Sequence, residues 1–146
     1  MNEALILVNP PWQASDVSAE GTDAELDKAD EDFGAEMRKV ISDHSDVVKI
    51  AVLDSVLYAD YMDSVEAGSP EISRGVEVDA GWVALSFESD EMELAAAEIG
   101  AILGDGGRDV PVAVGGDNSD DSVKNLSFYL NRHKVRSELV KPIILE

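Results

Sequence analysis

The chain has no cysteine, which rules out disulfides, thiolate nucleophiles and thiolate metal sites. Basic residues are scarce. Eleven Lys and Arg stand against 31 Asp and Glu, for a net charge of −20. Such a surface repels phosphates and anionic headgroups, so direct nucleic-acid binding and membrane attachment through a basic patch are both excluded. The two histidines, His44 and His133, lie far apart and without ligand spacing, so no metal site is expected. No apolar run approaches the ~20 residues that span a bilayer. Nor does a basic segment precede the short apolar run at the N-terminus, so the expectation is a soluble, cytoplasmic protein. Two common signatures are also missing. The first apolar run is followed by Asn9-Pro10-Pro11, without the glycines that cradle a pyrophosphate, and no Gly-x-Ser-x-Gly elbow occurs.

The 146 residues suit a single domain, 1–146, with one core. Ala4-Leu5-Ile6-Leu7-Val8 is apolar on both faces, as a central parallel strand requires, and the prolines behind it stop it. Residues 13–24 carry no periodicity and read as a loop. From Asp23 the residues Leu26, Ala29, Phe33, Met37, Val40 and Ile41 recur at helical spacing, with Gly34 a candidate break. Asp46 to Asp54 gives a second buried strand. The segment from Ser55 to Ser89 reads as a short helix through Val65, stopped by Gly68-Ser69-Pro70, then a loop and a strand from Gly81 to Phe87.

A helix from Asp90 to Gly104 and a strand at Val110–Val114 follow, with a turn at Gly115-Gly116-Asp117-Asn118. Ser122-Val123 then opens a helix that ends near His133. Pro142 marks the last strand, Leu139 to Leu145, as a sheet edge. This alternation predicts an α/β fold: a mainly parallel sheet of about five strands with helices on both faces, flavodoxin/Rossmann-like.

Three explanations compete for the acidity. A salt-adapted, halophilic cytosol favours many Asp and few Lys, and the chain has 17 and 6; alternatively the acids engage a basic partner, or they serve solubility alone. Their dispersion along the chain suits the first or last better than an ordered mimic of DNA.

Carboxylates at strand and helix ends are the candidate chemistry. Asp54 finishes a strand in the position where open α/β sheets bind ligands. Asp90 opens the alanine-rich helix, and Glu93 and Glu98 lie within it. A glutamate beside an aspartate in a partly dry cleft can attack an anomeric carbon while the aspartate holds sugar hydroxyls or relays a proton. Each also has an ordinary reading: Asp90 as a helix cap, Glu93 and Glu98 as a solvated helix face.

The order of these features resembles the nucleoside 2-deoxyribosyltransferases and their N-glycosidase relatives. Leu5-Ile6-Leu7-Val8-Asn9-Pro10 is similar to that family's first strand and turn, Asp46-Val47-Val48-Lys49-Ile50-Ala51-Val52-Leu53-Asp54 to its second strand, and Glu98-Ile99-Gly100-Ala101 with Val110-Pro111-Val112 to its Glu-x-Gly helix and following strand. The resemblance implies Glu98 as the glycosyl-accepting nucleophile, Asp54 and Asp90 as supporting acids, with Glu93 as the alternative nucleophile. It further implies contacts to a nucleoside or nucleotide substrate from Asn9, Pro10 and Trp12, no cofactor, and a homo-oligomer in which a polar residue such as Asn118 or Asn125 completes a neighbour's pocket. The expectation that competes with it is a non-catalytic acidic α/β interaction protein.

Overall fold

The computed structural model describes residues 4–10, 22–73, 76–79, 81–103, 112–117, 121–133, 135 and 137–145. Strand β1 (Ala4–Val8) is buried at every position. It divides its side chains between two cores: Ala4, Ile6 and Val8 enter one, Leu5 and Leu7 the other. Strand β2 (Val48–Leu53) does the same from Ile50 onward, with Ile50 and Val52 against Ala51 and Leu53, while Lys49 turns its ammonium to the Ser45 and Val47 carbonyls. Alternate residues of a strand face opposite ways, so a run without polar positions needs cover on both faces.

That cover comes from helices. Helix α1 (Asp23–Asp43) buries Phe33, Met37 and Val40. The Thr22 hydroxyl caps it, accepting the Glu25 N–H at 3.2 Å. Gly34 does not break it, because the buried stripe outweighs the ~1 kcal/mol that a glycine costs in a helix. Helix α2 (Ser55–Glu66) packs Tyr61 on the same side of the sheet. Between α2 and the next sheet strand, where a loop is expected from sequence, the chain forms a small antiparallel hairpin of β3 (Glu71–Ser73) and β4 (Val76–Glu77). Ile72, Val76 and Val78 join the α1–α2 core. Strand β5 (Val83–Ser86) and a single 3-10 turn (Ser89–Glu91) lead into α3 (Met92–Leu103). With α4 (Ser122–Arg132), α3 covers the opposite face of the sheet.

The main sheet is parallel throughout, in the order β5-β2-β1-β6-β7. The chain moves outward from β1 to β5, then returns through α3 to place β6 (Val112–Asp117) on the other side of β1. Because crossovers keep one hand, reversing the direction of travel sends α3 and α4 to the face opposite α1 and α2. The carboxyl ends of β1 and β6 therefore flank the switch point, where ligands enter such sheets.

Strand β6 runs through Gly115-Gly116 to Asp117, where the sequence reading placed a turn. The glycines serve strand pairing: Gly116 adopts φ 129° and is in register with Val8. Strand β7 (Ser137–Leu145) lies at the sheet edge, as Pro142 indicated, and its register on β6 shifts between Val114 and Gly116. Among the described residues no helix is long and apolar enough to cross a membrane.

Candidate functional site

Side chains on the carboxyl edge bind neighbouring backbone. Asn9, the first residue past β1, has φ 44°. This left-handed conformation is one that Asn tolerates better than most residues. Its N–H donates to the Val52 carbonyl at 2.8 Å, and its Oδ1 accepts the Asp54 N–H at 2.7 Å. Asp54 Oδ1 in turn accepts the Leu57 N–H at 2.9 Å, which makes it the N-cap of α2. Glu88, just past β5, accepts the Ser55 N–H at 3.0 Å, and its own N–H is held by Glu91 at 2.9 Å. The ends of β1, β2 and β5 are thus tied together by side chains that use up backbone donors at the start of α2.

A shallow, open hollow adjoins this network, lined by Pro10, Leu53, Leu57, Asp60, Tyr61, Glu71 and Ile72. Its floor is apolar and its rim carries two carboxylates. Burial holds the Tyr61 phenol above its ordinary pKa, and the charge of Asp79 and then Tyr58 add to the effect.

Beyond the switch point, β6 ends on the half-buried Asp117 and α4 begins at Ser122, which is fully buried. Asp121 between them has φ 63°. Like Asn9, Asp121 holds a left-handed conformation that Asp and Asn adopt more readily than other non-glycine residues. Ser122 is the first residue of α4, the end of a helix at which backbone N–H groups lack helical partners. Sequence reasoning took Ser122 only as a helix start. The signal available to it was an apolar strand, paired glycines and then a serine opening a helix, the same strand-turn-helix order that presents a nucleophile in other α/β enzymes.

The residues expected from sequence do not converge. Asp54 caps α2 on one face of the sheet, whereas Glu98 is exposed on α3, which covers the other. Six residues into that helix, Glu98 lies about 9 Å along the axis from its start, away from the carboxyl edge. Glu93 and Asp90 are also exposed. Asn9 and Pro10 do lie at the edge, Asn9 half-buried and Pro10 buried, while Asn125 is exposed on α4. Trp12 and Asn118 fall outside the described residues. Among the described residues no three His, Asp or Glu come together as a metal site.

No model of a known family matches the chain, and no curated protein sequence does. Among solved structures, it is similar to N-carbamoylsarcosine amidase from Thermoplasma acidophilum. The TM-score is 0.56 at 16% sequence identity, over 100% of this chain and 85% of the other. This likeness shows the α/β fold. It also corrects the expectation of deoxyribosyl transfer. The protein of like fold is an amidase, no family or sequence match links the chain to nucleoside transferases, and Asp54 and Glu98 stand on helices that cover opposite faces of the sheet. The competing expectation, an acidic interaction protein, gains no support from the comparisons.

Proposed function

We propose that this protein is a hydrolase of small amide-type carbonyl compounds, acting over the carboxyl ends of β1 and β6. The observation that carries the reading is Ser122: a hydroxyl at the first position of α4, behind the left-handed Asp121, beside the switch point. The amidase with the same fold supports the choice of substrate class. Without cysteine no thiolate is available, and the Ser122 hydroxyl takes the part of nucleophile. Ser122 Oγ adds to the carbonyl carbon, and Asp117, on the same strand-to-helix connection, takes the hydroxyl proton and passes it to the departing nitrogen. Amide N–H groups at the start of α4 hold the developing oxyanion. Water then cleaves the ester and restores the hydroxyl.

Ser122 is covered in the free chain, so the substrate must displace what covers it, and binding and turnover need separate measurement. The test is incubation with N-carbamoyl amino acids, simple amides and esters, following release of ammonia or acid. Turnover that falls by at least a hundredfold in Ser122→Ala, with ligand binding retained, supports the reading. Absence of turnover across the panel, or turnover indifferent to Ser122→Ala, removes it.

A further inference from the structure

Helix α3 has apolar residues on its outer side as well as its inner one, between Glu93 and Glu98. Met92, Ala95, Ala96 and Ile99 face the sheet, while Leu94 is 58% exposed on the outside and Ala97 and Ala101 continue the same outer stripe. On the neighbouring α4, Val123, Leu126 and Leu130 turn inward, which sets Phe128 on the outer side, 53% exposed. The Arg132 guanidinium lies 5.8 Å over the Phe128 ring, and the Tyr129 ring stands edge-on at 5.3 Å. A surface helix normally has a polar outer face, so apolar residues on both sides mark a helix that something covers. Exposed Phe with an adjoining Arg is the composition of interface centres.

Charge indicates what covers it. Helix α3 carries Glu93 and Glu98 and no base; α4 carries Lys124 and Arg132 and no acid, unlike any other described helix. Two copies of a chain with net charge −20 repel across most of their surface. The α3–α4 face, with its acids on one helix and its bases on the other, can pair acid with base when it meets itself. A two-fold axis across the helices would lay α3 on α3 and α4 on α4, like charge on like. An axis along the helices lays α3 of one copy on α4 of the other, so that the helix bearing Leu94 and the glutamates meets the one bearing Phe128 and the bases.

We propose that the α3–α4 face is the interface of a homodimer, with its two-fold axis running along these helices. The proposal is independent of the chemistry assigned to Ser122. Two helices of about 18 Å each offer a contact near the lower limit of stable interfaces, so association is reversible, at roughly micromolar concentration.

The experiment is sedimentation equilibrium of the full chain over about 1–100 µM at about 0.5 M salt, where long-range repulsion is screened. The expected mass rises from one chain to two. Leu94→Glu and Phe128→Ala each weaken the dimer at least about tenfold with unchanged circular dichroism, since both side chains are exposed. Joint reversal, Glu93→Lys with Glu98→Lys, weakens it although the net charge falls. Adding Lys124→Glu and Arg132→Glu restores it to within about threefold, because charge complementarity returns. A single-chain mass at every concentration overturns the proposal. A dimer indifferent to these substitutions, or a monomer that instead uses Phe128 to hold a different protein, overturns it equally.

Discussion

Gly116 and Val8 sit opposite one another at the switch point, and Val8 fills the space where a side chain at 116 would begin. A Cβ there would lie 2.0 Å from the Val8 carbonyl oxygen and 2.8 Å from its nitrogen. Closeness of the two backbones at their carboxyl ends is thus conditional on glycine, and φ 129° is a second condition with the same answer.

Gly116→Ala is expected to destabilise the fold by at least about 3 kcal/mol, since both the contact and the backbone angle must be relieved by moving strands. Gly100→Ala is the control. Its Cβ would meet nothing within 4 Å, and in a helix interior alanine is worth up to ~1 kcal/mol over glycine. Urea unfolding of both variants checks the pair; a mild Gly116→Ala would refute the packing described.

Asn9→Ala removes the acceptor for the Asp54 N–H and places a poor left-handed residue at φ 44°. The expected cost is about 2 kcal/mol. Asn9→Asp keeps a side-chain oxygen and tolerates the backbone, so it should cost less than half as much. Equal losses in the two variants would show that the 2.7 Å bond is not what matters.

Asp54→Ala should cost about 1 kcal/mol through the lost cap of α2, and Asp54→Ser only a small part of that. The two variants are compared by thermal unfolding. Hydrogen exchange at the amides of Ser55 to Leu57 localises the effect, because fraying at the first turn of α2 accelerates exchange there and not in α1.

Tyr61 predicts an alkaline limit. Its phenol is held above the ordinary 10.0 by burial, then by Asp79 and Tyr58, so the folded chain keeps a proton that the unfolded chain releases. The stabilisation is complete below pH 10.0 and is lost as the pH rises through the higher folded value. Unfolding free energy should decline above about pH 10 more steeply in the parent than in Tyr61→Phe. Parallel pH profiles for the two would contradict the buried phenol.

Sequence and structure part company at identifiable residues. The doubly apolar runs at Ala4–Val8 and Ile50–Leu53 required a covered parallel sheet, because a stretch without polar positions has no face to give to water. Pro142 placed the last strand at an edge for want of an N–H. By contrast the Glu71–Ser73 and Val76–Glu77 hairpin has strands too short to show an alternation, and it is held by Ile72, Val76 and Val78 packing on helices distant in the chain.

Gly115-Gly116 reads as a turn in any local account, and its role in strand pairing emerges only once Val8 is beside it. Glu98 and Asp54 looked like partners because both follow the same αβ rhythm. Which face each helix covers depends on the reversal of strand order after β5, a long-range event. The sequence by itself therefore determined the longer helices and strands and the parallel sheet, since periodicity and the burial of apolar runs are local properties of the chain. Tertiary structure alone decided that Asn9, Asp54 and Glu88 gather at one edge, that Ser122 stands by the switch point and that Glu98 lies on the far side. Those placements follow from the order and handedness of the crossovers, which no short stretch of residues encodes.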